Sequence, residues 1–168
     1  NGFSYKFMKD SISFPTSNPR PPAHIKDINK SHFSKKINYI AIESIGQLVD
    51  LMNNYFRKEK INGEAVHESL FELKKIKSII KKQKKPRIVF LFKTLDSLEM
   101  LERDYSKKLL LEIISLCDRV VVSFATRSMI KKKRFHAKRS WIVDFIKENF
   151  EVLDDFEIGG ERYIVFKF

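Results

Sequence analysis

The run Val89-Phe90-Leu91-Phe92 constrains this chain more than any other stretch, because it is wholly apolar, stops abruptly at Lys93-Thr94 and gives way to Leu95-Asp96-Ser97-Leu98-Glu99. A short apolar run with a sharp polar end predicts a central strand over Arg87–Phe92, buried on both faces. Burial on both faces calls for helices on both sides and a largely parallel sheet, which is an α/β fold. Ligands of open α/β sheets gather beyond the carboxyl ends of the strands, so Lys93 to Asp96 is an expected functional edge.

The flanking segments supply the rest of such a fold. Ile37–Ile42 is β-rich and ends on Glu43-Ser44, a strand with an acid at its tip. Leu48, Val49, Met52, Tyr55 and Phe56 form one stripe of a helix over Ile45–Lys60. Glu64–His67 is a short strand leading to Glu68-Ser69. Leu73, Ile76, Ile79 and Ile80 then mark a lysine-rich amphipathic helix over Leu70–Lys85, which Pro86 ends. After the central strand we expect one helix over Ser97–Leu116, a second buried strand over Val120–Phe124, a polar basic loop over Ala125–Lys133 and a helix over Lys138–Phe150. The last segment reads as a hairpin, Glu151–Ile158 and Glu161–Phe168, in which Gly159-Gly160 supplies the positive φ of a tight turn. Residues 1–36 differ: Pro15, Pro19, Pro21 and Pro22 break any helix, leaving a short strand at Ser4–Met8 and an irregular loop. The expected organisation is an irregular segment, 1–36, followed by one domain, 37–168.

Charge narrows the partners. Lys plus Arg number 33 against 21 Asp plus Glu, a formal charge of +12 over 168 residues. An excess of this size fits a polyanion binder, nucleic acid above all, against the plainer alternative of a solvated basic surface. The charge concentrates in Lys74–Arg87 and in Lys131–Arg139. Within Ser128–Arg139 six cations, Lys131, Lys132, Lys133, Arg134, Lys138 and Arg139, flank Phe135 and His136. Lysines neutralise phosphates and release counterions, and an aromatic stacks on an unpaired base. Cys117 is the only cysteine, which excludes a disulfide framework. His24, His32, His67 and His136 show no metal-ligand spacing. No stretch has the length of a membrane span and no signal-peptide core opens the chain, so the expected setting is cytoplasmic with no membrane partner. The chain opens on Asn1 rather than Met, as a processed chain or a piece of a longer one would. Oligomeric state is open.

Specific words in the sequence add a resemblance. Phe92-Lys93-Thr94-Leu95-Asp96-Ser97-Leu98-Glu99 and Val122-Ser123-Phe124-Ala125-Thr126-Arg127-Ser128 resemble the Phe-Lys-Leu-Leu-Pro-Leu-Leu-Glu and Val-Ser-Phe-Pro-Thr-Arg-Ser segments of the aminoglycoside-resistance 16S rRNA (guanine-N7) methyltransferases. Phe156–Phe168 resembles their last hairpin, so the likeness covers about residues 37–168. It implies a Rossmann-like class I methyltransferase sheet, mostly parallel with a C-terminal antiparallel hairpin. It also implies S-adenosyl-L-methionine as cofactor and ribosomal RNA or the small ribosomal subunit as partner. By the same resemblance Glu43, with Ser44, would hold the cofactor ribose, and Glu68, with Ser69, would face the adenine amino group. Lys93, Thr94 and Leu95 would line the pocket floor. Arg127 and Ser128 would border the target nucleotide, and the basic loop would face RNA. No acid–base pair is implied, since guanine N7 has a free lone pair and catalysis rests on positioning.

One departure is marked. The family's first strand is followed by Asp-x-x-Cys-Gly-x-Asn-Pro, where glycine lets backbone amides approach the cofactor. The corresponding place here reads Ser13-Phe14-Pro15-Thr16-Ser17-Asn18-Pro19, in which only Asn18 and Pro19 match, and no glycine lies between Gly2 and Gly46. A degenerate turn, a foreign amino-terminal stretch and impaired cofactor binding are all open. The functional alternatives are accordingly an rRNA methyltransferase and a non-catalytic RNA-binding module on a decayed methyltransferase scaffold. Replacing Lys131, Lys132, Lys133 and Arg134 by Gln is expected to lower the slope of log affinity against log salt for RNA by about 3, measured by fluorescence anisotropy. An unaltered slope removes the loop as a phosphate contact.

Overall fold

The computed structural model describes residues 37–126 and 139–168. The strand expected at Ser4–Met8 and most of the basic loop lie outside them. Residues Tyr39–Phe168 form one unit with two sheets. In the first, β1 (Tyr39–Glu43) runs parallel to β2 (Gly63–His67), with α1 (Gly46–Lys58) between them in sequence. The second contains β3 (Ile88–Phe92), β4 (Arg119–Ala125), β5 (Glu151–Ile158) and β6 (Glu161–Lys167), in the order β3-β4-β6-β5. β3 and β4 are parallel, and β6 is antiparallel to both β4 and β5. The connecting helices are α2 (Leu73–Lys82), α3 (Thr94–Leu101), α4 (Tyr105–Ile114) and α5 (Ser140–Asn149).

One face of the larger sheet carries the main core. Leu91, Val120, Val122, Phe124, Ile164 and Phe166 meet Leu95 and Leu98 of α3, Leu109, Leu110 and Ile113 of α4, and Ile142 and Ile146 of α5. Each fully buried aliphatic side chain in this set contributes about 1.5–3 kcal/mol of transfer free energy. A second, smaller cluster of Ala41, Val49, Phe56 and Ala65 joins α1 to the first sheet. There the Asn53 side chain does the work of a neighbouring strand, donating to the Ala65 carbonyl at 2.9 Å and accepting the Ala65 N–H at 2.8 Å. Gly63 lets the chains close up, because a Cβ on it would lie 3.1 Å from the Tyr39 carbonyl oxygen.

The opposite face of the larger sheet corrects the expectation of a strand buried on both faces. Ile88, Phe90 and Phe92 of β3 stand 51%, 51% and 52% exposed, and β3 is an edge strand among the described residues. Their partners are one another and their neighbours on the same face. The rings of Phe90 and Phe92 lie 5.3 Å apart, Phe92 and Tyr163 6.0 Å, and Phe156 stacks on Tyr163 at 5.3 Å. A five-residue apolar run has no alternation to reveal which face is covered, and this is why the sequence reads as doubly buried.

The single helix expected over Ser97–Leu116 is two helices. It begins earlier, at Thr94, and breaks at Glu102–Asp104, where Asp104 takes a left-handed φ of 61°. The Glu99 carboxylate accepts the Asp104 N–H at 2.7 Å and holds the turn. The break aims Tyr105 inward, so that its hydroxyl donates to the Leu70 carbonyl at 2.7 Å, while buried Ser106 donates to the Leu95 carbonyl at 2.9 Å. Arg87 closes the opposite end of the layer. Its guanidinium donates to the carbonyls of Gln83, Leu116 and Lys81, groups that the ends of α2 and α4 leave without helical partners.

The two faces predict contrasting substitutions. Leu109→Ala, at a site with no solvent exposure, is expected to cost about 2–5 kcal/mol in urea unfolding. Phe90→Ala, half exposed on the other face, is expected to cost less than about 1 kcal/mol. Equal losses would contradict a one-sided core.

Candidate functional site

Parallel pairing brings the carboxyl tips of β1 and β2 side by side, with Glu43 opposite His67 and the Glu68 N–H donating to the Glu43 carbonyl at 3.0 Å. The Glu43 carboxylate turns back on its own loop: Oε1 accepts the Ile45 N–H at 2.9 Å and, more weakly, the Ser44 hydroxyl at 3.4 Å. The Ser44 carbonyl is fixed by His67 Nε2 at 3.0 Å, and since a carbonyl only accepts, that nitrogen bears the proton. Glu68 accepts the Ser69 N–H at 3.1 Å and pairs with Lys75 at 3.1 Å. The Ser69 N–H first, and then Lys75, hold the Glu68 carboxyl below its ordinary range. Two acids on neighbouring strand tips are thus in place.

A second group gathers at the tips of β3 and β4. Lys93 takes a left-handed φ of 54° just before α3, donates its N–H to the Ser123 carbonyl at 3.0 Å and pairs its ammonium with Glu161. The same carboxylate accepts from the Ser123 hydroxyl at 3.1 Å and the Tyr163 hydroxyl at 3.2 Å. Lys93 is the main cause holding the Glu161 carboxyl below its usual range, while desolvation, with the Glu161 charge, pushes the Tyr163 hydroxyl up. A non-glycine residue in the left-handed region costs about 1–3 kcal/mol, a strain that clusters where the backbone is held for a task.

Of the residues expected to line the pocket floor, Thr94 donates to the Phe92 carbonyl at 3.1 Å. Leu95 has no solvent exposure and belongs to the core, so its side chain lines no open pocket. It faces inward because α3 begins at Thr94 and places Leu95 in its first turn. Arg139 also has another task. Its Nε lies 3.0 and 2.8 Å from the two Asp96 oxygens, an NH group donates to the Ala125 carbonyl at 2.8 Å, and the guanidinium stacks over Phe124 at 5.5 Å. With its side chain only 12% exposed, Arg139 clamps α3, β4 and α5 together. Thr126 is pinned as well, its N–H to the Gly160 carbonyl at 2.8 Å and its hydroxyl to Glu157 at 2.8 Å. The basic segment therefore leaves and rejoins the fold at two anchored points beside β4. Asn18, Pro19, Arg127, Ser128, Lys131, Lys132, Lys133, Arg134, Phe135 and Lys138 lie outside the described residues.

Sequence reasoning missed Glu161, Ser123 and Tyr163. Their signal was in the hairpin register, which sets Ser123 opposite Tyr163 and Ala125 opposite Glu161. Cys117 offers no nucleophile, since burial pushes its thiol up to about 11. Among the described residues no cluster of His, Cys, Asp and Glu could hold a metal, and no helix is long and apolar enough to cross a membrane.

Arg139→Ala leaves Asp96 without its cation and the Ala125 carbonyl without its donor. The expected loss is on the order of 2 kcal/mol, with a coupling of at least about 0.5 kcal/mol to Asp96→Asn in a double-mutant cycle. Additive losses would show that the pair contributes nothing.

No family model matches the sequence, and no curated protein does either. Solved structures do. An rRNA methylase from Escherichia coli is 19% identical with a TM-score of 0.57 over 77% of this chain and 48% of its own. The 16S rRNA methylase ArmA is 22% identical with a TM-score of 0.56, over 80% and 64%. The 16S rRNA methyltransferase RmtF, solved with S-adenosyl-L-homocysteine, is 22% identical with a TM-score of 0.59, over 77% and 47%. This chain spans less than two thirds of each. What it shares with them is the α/β, Rossmann-like fold.

Proposed function

We propose that this chain is an S-adenosylmethionine-dependent methyltransferase acting on ribosomal RNA, with N7 of a guanine in 16S rRNA as the accepting atom. The observation that carries the reading is the pair of acids at adjacent strand tips, Glu43 and Glu68, joined by the Glu68 N–H to Glu43 carbonyl bond at the carboxyl edge of β1 and β2. The fold is that of proteins whose names say that they methylate rRNA, one of them solved with the demethylated cofactor. The resemblance of residues 92–99 and 122–128 to that family points the same way.

The donor set fits the adenosine half of the cofactor. Glu43 Oε1 is held by the Ile45 N–H, and Oε2, which takes no hydrogen bond from a described residue, is available to a ribose hydroxyl. A carboxylate so fixed accepts a diol well. When bound, S-adenosylmethionine supplies an electrophilic methyl group. The chain's own tasks are then to orient the adenosine through Glu43 and Glu68 and to bring the RNA in through its basic segment. Guanine N7 takes the methyl with its lone pair, so no side chain has to move a proton, and positioning carries the rate. A second reading, an RNA-binding module on a methyltransferase scaffold, draws on the lack of any glycine between Gly2 and Gly46.

Incubation of the full chain with small ribosomal subunits and methyl-labelled S-adenosylmethionine is expected to label a guanine of 16S rRNA at N7. Glu43→Ala is expected to weaken cofactor affinity about tenfold to a hundredfold, the equivalent of one hydrogen bond to a charged group. Unlabelled rRNA together with retained RNA affinity would establish the scaffold reading instead.

A further inference from the structure

We propose that the outer face of α2 is a second RNA-docking surface, a lysine stripe that holds the phosphate backbone of an RNA helix running away from the strand tips. The proposal rests on the reading of this chain as one that acts on RNA, and it adds a surface separate from the basic loop. α2 buries Ile76 and Ile80 against the core. Lys74, Ser78, Lys81 and Lys82 are exposed on the opposite side, at spacings of four, seven and eight residues that share one helical face. Lys74, Lys77, Ser78, Lys81 and Lys82 line a shallow open groove there. Lys84 and Lys85, also exposed, continue the basic run past the helix.

Local stability accounts for these charges only in part: Lys81 and Lys82 lie in the last turn of α2 and suit the negative end of its dipole, whereas Lys74 does not. Lys75 and Lys77, toward the flanks, have carboxylate partners in Glu68 and Glu112. Among the described residues no carboxylate pairs with Lys74, Lys81 or Lys82. Lys74 sits in the first turn, which carries no acid, and so opposes the positive end of the helix dipole. Arg87, by contrast, is spent on the carbonyls that close α2 and α4 and adds nothing to the stripe.

The direction of the helix suits the partner. α2 starts just after Glu68 and Ser69, and the Lys75–Glu68 pair ties its first turn to the strand tips. From there it runs about 15 Å toward the amino end of β3. A structured RNA with one nucleotide at the strand tips would therefore lay its continuing backbone along α2. Phosphate is favoured over an acidic protein because lysine is depleted from protein–protein interface cores and the stripe offers no aromatic anchor. Ser78 adds a hydroxyl of the kind that contacts phosphate oxygens.

The test is a Lys74→Gln, Lys81→Gln, Lys82→Gln variant of the full chain, titrated with a long RNA hairpin over a salt series, beside the wild type and a Lys131–Arg134 variant. The slope of log affinity against log salt is expected to fall by about 2 to 3, with S-adenosylhomocysteine affinity and urea unfolding unchanged. An unchanged slope overturns the proposal. So does a variant that binds the hairpin like the wild type yet loses retention on polyglutamate, which would assign the face to an acidic protein. A lowered slope in a chain that transfers no methyl group supports the stripe while the methyltransferase reading fails. A wild-type chain with no affinity for RNA removes both.

Discussion

Strand β4 is the joint on which the rest of the structure depends. It is parallel to β3 on one edge and antiparallel to β6 on the other, so the crossover half and the hairpin half of the chain meet along it. Val120, Val122 and Phe124 alternate inward at 2% exposure or less, and a slip of one residue would turn all three outward. Register at β4 is therefore enforced by the core itself. It determines what faces what at the carboxyl edge, because Ser123 and Ala125 lie there opposite Tyr163 and Glu161.

Two ion pairs mark that edge, and their magnitudes separate their roles. The Lys93–Glu161 pair is half exposed on its lysine side and contributes little to stability, since surface pairs are worth roughly 0–1 kcal/mol. Its effect is to orient a left-handed residue and a hairpin turn toward each other. Arg139–Asp96 is more enclosed and is reinforced by the Ala125 carbonyl and the Phe124 ring, so it joins two helices to β4. At the strand tips of β1 and β2 main-chain bonds act beside the Lys75–Glu68 pair, and Glu43 keeps one carboxylate oxygen without a hydrogen bond from a described residue.

Local pattern made most elements legible. The acid-tipped strand, the amphipathic stripes of α1 and α2, the buried strand β4 and the Gly159-Gly160 hairpin all carry period or turn chemistry within a few residues. The break at Glu102–Asp104 did not show, because the helical apolar pattern runs through it and the turn is held by side-chain bonds, Glu99 to the Asp104 N–H and Tyr105 to the Leu70 carbonyl. The core position of Leu95 and the ion pair of Arg139 did not show for a related reason. Leu95 turns inward because α3 starts at Thr94, earlier than the apolar pattern suggests, and the Arg139 partner Asp96 lies 43 residues away. β3 read as doubly covered because a uniformly apolar pentapeptide is the same word whether one face is packed or two.

We propose that the strand tips around Glu43 and Glu68 hold an adenosine. Calorimetric titration of the full chain with S-adenosyl-L-homocysteine tests it most directly. The account predicts saturable binding in the micromolar range, about −8 kcal/mol. A folded sample that releases no heat and shows no saturation would contradict it.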